Sequence, residues 1–245
     1  VYRETPYGLY MSRSADHPRF RHLEVWLLPR LGLRANIFHF VEGDPQASVR
    51  GGLVVQEHGT FPWMTIVDNV AALPKQVREV HIVGGLHPDL PWSYFTDMLR
   101  GIKQVRADVH VKAFTAVEVF FFHKLYRKSV EQVLTELKEA GLDSMPGGGA
   151  EIFAKETRNR IIKGKANGEQ WLEVMRQAHR LGIPTNCTML YGHVESIEDR
   201  VDHLLALRAL QDETGGFVTY IPLAFQPWEA PAMKLPETTG FEDLK

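Results

Sequence analysis

The sequence is poor in cysteine, and this shortage limits both its covalent chemistry and its compartment. Cys187 is the only cysteine among 245 residues, so no disulfide can form within the chain. A chain of this size without disulfides is typical of a reducing compartment. The chain also lacks an apolar run long enough to cross a bilayer and a charged-then-apolar signal pattern at its start. We therefore expect a cytoplasmic protein that does not enter a membrane.

Neither sign of charge is in excess, and this balance limits the class of partner. The chain has 28 basic and 30 acidic residues, a net charge of -2, and no basic stripe or charged block. Nucleic-acid binding and a charged tail are therefore not expected. A hydrophobic content of 44% is enough for one sizeable core. These features favour a globular protein whose partner is a small molecule.

A Gly-x-Gly-x-x-Gly motif opening a helix is also absent, which argues against a dinucleotide-binding fold. Prolines interrupt every candidate element in residues 1–63, and no periodicity is sustained there. From residue 64 onward, runs with strand and helix spacing alternate. We divide the chain into a poorly patterned segment, 1–63, which is frame-shifted or disordered, and a patterned region, 64–245.

The patterned region predicts strands that alternate with helices. The predicted strands are Val77–Val83, Val109–Thr115, Leu142–Met145, Ile183–Leu190 and Phe217–Phe225. The predicted helices cover about 66–73, Trp92–Val105, 130–140 ending at Gly141, Glu169–Leu181, and a helix capped by Ser196 and Asp199. In this last helix, the apolar spacing predicts a buried face made of Ile197, Val201, Leu204 and Leu205.

The spacing of these strands, roughly 30 to 45 residues, is the rhythm of repeated βα units. Such units build either an open sheet or a barrel of parallel strands. Glycine or polar residues follow several of the strands, as expected when a site gathers at the carboxyl end of a barrel. Because a complete eight-strand barrel takes about 250 residues, the region predicts an α/β fold, a partial TIM-type (β/α) barrel that is incomplete at both ends.

The stretch Leu142–Glu151 contains three consecutive glycines between a short apolar run and a carboxylate. Glycine in that density costs backbone entropy and lets backbone approach something closely. One interpretation is a tight turn from strand to helix, and the other is a ligand site at the end of a strand. The glycines alone do not decide between them.

By position, twelve residues are candidates for the mouth of the barrel: Gly84, Gly85, His87, Thr115, Glu118, Gly148, Glu151, Asn186, Thr188, Tyr191, His193 and Gln226. His87 could equally be a loop histidine bonded to backbone, and His193 could pair with Glu195. His81 and His110 lie inside predicted strands and are expected to be core or helix-packing residues. Lys112 could bind an anion inside the barrel or reach solvent.

Two further sets of residues allow other functional interpretations. Histidines and carboxylates at a barrel mouth also suit a divalent-metal hydrolase, but no His-x-His opens the barrel. The basic residues around the glycine stretch are most simply a solvated face, although one or two could meet a carboxylate substrate. They are Arg127, Lys128, Arg158, Arg160, Lys163 and Lys165.

Several long motifs occur in an order that resembles a known family. They are Glu79–Pro91 (EVHIVGGLHPDLP), Val111–Glu118 (VKAFTAVE), Pro146–Phe153 (PGGGAEIF), Thr188–His193 (TMLYGH) and Leu210–Phe217 (LQDETGGF). Together they resemble the radical S-adenosylmethionine (SAM) enzymes of menaquinone biosynthesis, and among these the aminofutalosine synthases. The resemblance covers residues 64–245.

The resemblance implies a barrel of the radical SAM kind that holds SAM and a [4Fe-4S] cluster. The family adds the 5′-deoxyadenosyl radical of SAM to the chorismate-derived 3-[(1-carboxyvinyl)oxy]benzoate, a transferase reaction. Carried over by position, the cofactor-binding residues are Gly84, Gly85, Thr115, Glu118 and Asn186. The substrate-binding residues are His87, Gly148, Glu151, Thr188, Tyr191 and His193. No catalytic residue and no metal ligand is assigned.

The sequence departs from the family at the cluster. The family binds it through a Cys-x3-Cys-x2-Cys loop upstream of the glycine pair, and this chain has no cysteine before Cys187. Iron–sulfur clusters need several thiolates, so we expect the chain as given to be inactive. The family also continues beyond Lys245.

Three explanations of this departure stay open. Residues 1–63 come from a shifted reading frame, or the chain is a fragment with an unrelated start, or it is a cluster-less relative that binds ligand without catalysis. The metal-dependent barrel hydrolase is the remaining alternative function.

Overall fold

A computed structural model describes residues 36–37, 53–55, 65–162 and 164–225 of the chain. The described residues divide into two compact units. Unit 1 contains residues 36–37, 53–55, 65–113 and 139–143, and unit 2 contains 114–138, 144–162 and 164–225. Most of the predicted segment 1–63, and Gln226, lie outside the described residues.

Unit 1 holds a four-stranded sheet and two helices. In chain order its elements are β1 (Asn36–Ile37), β2 (Leu53–Val55), α1 (Ile66–Ala71), β3 (Glu79–Ile82), α2 (Trp92–Val105) and β4 (His110–Ala113). The strand order is β1-β2-β3-β4, with β1 antiparallel to β2 and the other pairs parallel. Parallel neighbours joined by a helix are the βα arrangement that the sequence predicts.

Unit 2 contains the remaining elements. They are α3 (Ala116–Tyr126), α4 (Val130–Ala140, of which the last two residues belong to unit 1), α5 (Lys155–Ile161), α6 (Gly168–Arg180), β5 (Thr185–Tyr191), α7 (Ile197–Thr214) and β6 (Phe217–Ala224). Strands β5 and β6 are parallel. The predicted strand at Leu142–Met145 is reduced to an isolated parallel bridge between Met145 and Thr185.

Local sequence explains where the helices begin. Capping boxes start α1, α3, α6 and α7, each with a polar residue whose side chain and backbone are paired with the residue three positions later. The pair that the sequence predicts, Ser196 and Asp199, is one of them, with both hydrogen bonds at 3.1 Å. These bonds satisfy N–H groups that a helix start would otherwise leave without partners.

Two helices, α3 and α5, were not predicted from the sequence. Helix α3 is apolar on nearly all sides, so its sequence lacks the alternation of apolar and polar residues that marks an amphipathic helix. Helix α5 is only seven residues long, too short to show a repeated period. None of the helices in the described residues is both long and apolar enough to cross a membrane.

The predicted buried face of α7 is wrong. Ile197, Val201, Leu204 and Leu205 are between 40% and 73% exposed. The residues of α7 that are buried are His203, Leu207 and Leu210. A helix with apolar residues on two sides has an ambiguous pattern, and the side that packs against β5 and α6 is the one that becomes core.

Close approach within unit 2 explains two of the three glycines in the Gly147–Gly149 run. A Cβ on Gly147 would lie 2.8 Å from the Cα of Cys187, a backbone atom that cannot move aside. Gly149 has a φ of +80°, and a Cβ there would lie 2.3 Å from a methyl of Val117. The run therefore lets the loop lie directly against β5 and α3. Packing thus explains these two glycines in the way that the first interpretation, a tight turn, predicts.

We predict that Gly149→Ala destabilises the protein by about 2–4 kcal/mol, because a left-handed φ and an overpacked methyl both oppose the new side chain. Gly148→Ala is the control. Gly148 has no positive φ, and its nearest contact would be the methyl of Thr115 at 3.1 Å, so we expect about 1 kcal/mol or less. Urea unfolding followed by circular dichroism compares the two, and equal losses would contradict this explanation.

Candidate functional site

The guanidinium of Arg158, in α5 of unit 2, holds the loop that follows the glycine run. Arg158 is only 3% exposed. It donates hydrogen bonds to the carbonyl oxygens of Gly149 at 2.7 Å, of Ile152 at 3.2 Å and of Ala150. Its Nε and Nη2 both donate to the carbonyl of Ala166, at 3.2 and 2.6 Å. All five guanidinium N–H groups are therefore used on backbone.

The charge of Arg158 is not matched by an ion pair within the described part of the chain. Burial lowers its pKa, and the carboxyl of Glu151 acts in the opposite direction. The prediction that Arg158 belongs to a solvated face is wrong, because its side chain is buried and donates to backbone carbonyls inside unit 2. No sequence signal was available, because α5 is too short to show a repeated period.

Glu151 is held in an unusual conformation by this loop. Its φ is +46°, in the left-handed region that a residue with a Cβ rarely adopts. Its carbonyl accepts a hydrogen bond from the backbone N–H of Leu190 at 2.8 Å. Strain of this kind is kept where the surroundings impose it, and it is common at functional sites.

The carboxyl group of Glu151 makes no hydrogen bond or ion pair within the described residues. Burial raises its pKa, while the charges of Arg158 and Lys165 lower it. A half-buried carboxyl with a raised pKa and no bonded partner can accept a hydrogen bond from a ligand or exchange a proton with it. Glu151 is therefore a predicted site residue of unit 2 whose ionisable group has no bonded partner among the described residues.

Several other predicted residues support the same loop. Thr188 donates to the carbonyl of Gly147 at 2.7 Å, and Trp171 donates to the carbonyl of Gly148 at 3.1 Å. Asn186 donates its backbone N–H to Met145 at 3.0 Å. These contacts join β5 and α6 to the glycine run. Binding roles for Gly148, Asn186 and Thr188 stay predictions.

Thr115 and Glu118 form the capping box that begins α3. The carboxylate of Glu118 accepts hydrogen bonds from the backbone N–H of Thr115 at 2.7 Å and from its hydroxyl at 2.8 Å. Glu118 is 4% exposed. Its carboxylate therefore has a structural function at the helix start, and a role in cofactor binding stays a prediction for both residues.

The turn after β5 is organised by a buried carboxylate, that of Glu195. It accepts hydrogen bonds from the backbone N–H of Gly192 at 2.5 Å and of His193 at 2.8 Å, and it pairs with Arg200 at 2.7 Å. Burial raises the pKa of Glu195, and these hydrogen bonds bring it below its usual value. The side chains of Glu195 and His193 are both fully buried.

His193 makes the predicted contact with Glu195, with 3.0 Å between Nδ1 and the carboxylate. Its Nε2 donates to the carbonyl of Leu190 at 3.1 Å, while Nδ1 accepts from the backbone N–H of Val194 at 2.7 Å. Burial lowers the pKa of His193, which favours this neutral form. Both ring nitrogens are thus used within the turn.

Tyr191 is 2% exposed and belongs to the apolar cluster that contains Ile152 and Met189. The guanidinium of Arg200 lies over its ring, 5.4 Å from the centroid. Tyr191 is thus a core residue of unit 2 that positions the end of β5. Contact between Tyr191 and substrate stays a prediction.

His203, which the sequence reasoning did not select, is fully buried beside the same loop. Its Nε2 donates to the carbonyl of Thr188 at 2.9 Å, and its ring stacks on that of Phe153 at 3.9 Å. Its Nδ1 is the one buried side-chain N or O atom without a hydrogen bond in the described residues. Burial lowers the pKa of His203 to about 4.

In unit 1, the predicted residues Gly84, Gly85 and His87 lie in an exposed turn after β3. The carbonyl of Gly85 accepts from the N–H of His87 at 3.0 Å, and Nδ1 of His87 accepts from the N–H of Asp89 at 3.2 Å. His87 is therefore bonded to backbone, as its alternative interpretation predicts. A Cβ on Gly85 would meet no atom within 4 Å.

The polar side chains of β3 and β4 share one face of the unit 1 sheet. Glu79 contacts His81, and Lys112 lies 3.0 Å from Glu79. The hydrogen bond with His81 lowers the pKa of Glu79 to about 2 against the opposing effect of burial, and Lys112 lowers it further. The prediction that His81 and His110 are core residues is wrong, and the alternative that they pack against a helix stays a prediction. Both are half-buried on this polar face, because Val80 and the other alternating residues take the core face.

The cysteine content does not fit an iron–sulfur cluster. Cys187 lies in β5 with its side chain buried, its thiol 3.6 Å from the carbonyl of Thr219. Burial raises the pKa of this thiol to about 11, which opposes the thiolate that iron needs. No group of three or more histidine, cysteine or acidic side chains is arranged to hold a metal ion within the ranges described.

We predict that Arg158→Met lowers the free energy of unfolding by about 3 kcal/mol or more, because buried carbonyls of the loop lose their donors. Arg160→Met is the matched control on the same helix. Arg160 is exposed and makes no hydrogen bond or ion pair to a described residue, so we expect a change of about 0.5 kcal/mol or less. Urea unfolding of both variants checks this. Similar losses would contradict the role given to Arg158.

We predict that stability falls as the pH is lowered from 6.5 towards 4. Burial lowers the pKa of both His179 and His203 to about 4, below the usual value of about 6.5 for histidine. The unfolded chain therefore binds protons more readily, and the stability contributed by the neutral rings is complete above pH 6.5 and is lost as the pH falls towards 4. At pH 5 the expected loss is about 2 kcal/mol for the buried His203 and less for the half-buried His179, whose charge solvent partly screens.

Urea unfolding at pH 7 and pH 5 measures this loss. His203→Phe should reduce the difference between the two pH values, whereas His87→Gln, in an exposed turn, should leave it unchanged. The titration assigned to His203 is wrong if His203→Phe keeps the full difference.

Comparison with known proteins agrees with the predicted resemblance. The profile described as the Radical SAM superfamily matches residues 58–207. The chain is 50% identical over 198 residues to an aminodeoxyfutalosine synthase of Thermus thermophilus, covering 77% of this chain and 53% of that protein. An aminodeoxyfutalosine synthase of Streptomyces coelicolor is 49% identical over 62% of this chain and 39% of its own length.

Another similar protein carries a different name. A 5-amino-6-(D-ribitylamino)uracil–L-tyrosine 4-hydroxyphenyl transferase of Methanopyrus kandleri is 44% identical, over 68% of this chain and 46% of its own. The chain thus spans about half the length of the curated relatives it matches. Among solved structures, methylornithine synthase has a TM-score of 0.47 at 15% identity, covering 71% of this chain and 50% of the other.

The superfamily match extends over well over half of the chain, and the described elements are the alternating strands and helices that the fold requires. The predictions of a mixed α/β, partial TIM-type barrel and of a resemblance to radical SAM enzymes are therefore confirmed. The chain belongs to the Radical SAM superfamily of enzymes.

Proposed function

We propose that this chain carries the ligand-binding part of an aminofutalosine synthase. The reaction of that class joins the 5′-deoxyadenosyl group of SAM to 3-[(1-carboxyvinyl)oxy]benzoate in menaquinone biosynthesis. The proposal is supported by the 50% identity to the Thermus thermophilus relative and by the order of the motifs. The bound molecules would be SAM and this aromatic carboxylate.

The observation that carries the proposal is the environment of Gly85. Its φ lies outside the left-handed region, and no atom lies within 4 Å of where a Cβ would be. Neither backbone strain nor packing among the described residues therefore requires glycine at this position. A glycine that the chain itself does not need is consistent with close approach of a ligand to the backbone. We assign Gly84 and Gly85 to the amino group of SAM.

Glu151 supports the substrate half of the proposal. Its carboxyl has a raised pKa, makes no hydrogen bond to a described residue, and is held in place through the loop that Arg158 binds. This group is available to a polar atom of the substrate. The turn residues Tyr191 and His193 would shape the site by fixing the end of β5 rather than by offering free donors.

Turnover is not part of what we propose for this chain. The [4Fe-4S] cluster of the superfamily supplies the electron that cleaves SAM, and one buried cysteine cannot replace its three thiolate ligands. The expected behaviour is binding of SAM and of the aromatic carboxylate without formation of aminofutalosine. Production of aminofutalosine by the purified chain with SAM and a reductant would overturn this part.

Isothermal titration calorimetry with the full chain tests the binding half. We expect SAM to bind the wild type, and Gly85→Val to weaken binding at least tenfold, about 1.4 kcal/mol, by blocking approach to the backbone. The unfolding curve should not change, because the added side chain meets no described atom. Ala71→Val, at an exposed position of the same unit, is the control and should bind normally.

The same titration separates the candidate functions. Absence of SAM binding to the wild type, or equal binding by Gly85→Val, rejects the assignment of the glycine pair. The methanogen relatives suggest L-tyrosine as the aromatic ligand instead. Preference for 3-[(1-carboxyvinyl)oxy]benzoate over L-tyrosine supports the synthase, and the reverse preference supports the transferase. Binding that requires a divalent cation would favour the hydrolase.

A further inference from the structure

A cavity of about 240 Å³ lies in unit 2 where α5 ends and α6 begins. Its lining is formed by polar, basic and small residues: Arg158, Asn159, Ile162, Gly164, Lys165 and Asn167. The volume is at or below the low end of the usual range for small-molecule pockets. It can hold a small ion or one end group of a ligand, but not a whole nucleoside.

Both charged side chains in the described part of the cavity lining, Arg158 and Lys165, are positive. Arg158 brings a buried cation whose five N–H groups are already used on carbonyls, so it contributes charge and no free donor. Lys165 is exposed and forms no ion pair with any residue that the structure describes. A cation buried without an ion-paired carboxylate favours an anion nearby.

Donors for such an anion are present in the lining. The ammonium of Lys165 and the amide of Asn159 have no hydrogen-bond partner within the described ranges. Asn167 uses its side-chain oxygen to cap α6, accepting from Gln170 at 2.8 Å, which leaves its amide nitrogen able to donate. Among the described residues no acidic side chain lines the cavity, and the carboxyl of Glu151, whose pKa the charges of Arg158 and Lys165 lower, lies outside that lining.

The geometry points to a binding subsite for a small oxyanion, the carboxylate or phosphate end group of a ligand, with Lys165 as its cationic contact and Asn159 as a neutral donor. The buried charge of Arg158 sets the sign of the potential, and Lys165 selects and holds the ion. This subsite is defined by its own lining, and it stands whether or not the chain binds SAM.

The test is a titration of the full, isotopically labelled chain followed by backbone amide chemical shifts. The probes are inorganic phosphate and sodium benzoate, each compared with sodium chloride at equal ionic strength. We expect saturable shifts at the amides of Gly164 and Lys165 with at least one oxyanion and none with chloride. A preference for benzoate identifies the end group as a carboxylate, and a preference for phosphate identifies it as a phosphoryl group.

Lys165→Met should weaken oxyanion binding at least tenfold, since charge-assisted hydrogen bonds contribute about 1.5–3 kcal/mol. Lys155→Met is the matched control. Lys155 is an exposed lysine of α5 that does not line the cavity, and its removal should change affinity less than twofold. Asn159→Ala gives a second, uncharged change that should weaken binding while leaving net charge constant.

Three results would overturn the proposal. The first is that neither oxyanion produces saturable shifts in a chain whose spectrum shows it to be folded. The second is that Lys155→Met weakens binding as much as Lys165→Met, which would mean attraction to overall charge. The third is that Asn159→Ala and Lys165→Met both bind like the wild type. None of these results depends on SAM binding, so failure here is distinct from failure of the proposed function.

Discussion

The arrangement of unit 2 depends on one buried cation, the guanidinium of Arg158. Its donors reach carbonyls on both sides of Glu151 and at Ala166, so a single side chain ties the glycine loop to the segment that leads into α6. Burying an arginine is costly unless its hydrogen bonds are satisfied. Here the backbone satisfies all of them, and it does so only when the loop takes this path.

Because Arg158 donates only to backbone carbonyls, its positive charge has no carboxylate in contact among the described residues. The nearest acidic group that affects it is Glu151, whose own pKa is raised by burial and whose carboxyl makes no hydrogen bond to the described residues. This part of unit 2 therefore combines a rigid backbone with two ionisable groups, Arg158 and Glu151, that form no ion pair within the described residues. Such groups are typical of binding sites, where a ligand completes the set of interactions.

This chain has the motifs and fold of its superfamily but lacks the cysteines that the radical chemistry requires. Its motifs and fold are those of the Radical SAM superfamily, whereas its one cysteine is a buried side chain of β5 with a raised pKa. The glycine loop of unit 2 is held by glycine packing and by hydrogen bonds from Arg158 and Thr188, and no thiolate takes part in these contacts.

The sequence by itself determined the alternation of strands and helices, most helix starts and the superfamily, because periodicity, caps and motif order are local properties. The tertiary structure decided which of the predicted site residues have polar atoms that are not used within the fold. Glu118 and His193 are candidates because of their positions just after predicted strands, but the fold uses their polar atoms in a helix cap and a turn. Arg158 looked like a surface residue and became the centre of the loop, since burial depends on what packs against α5, and no local pattern carries that information.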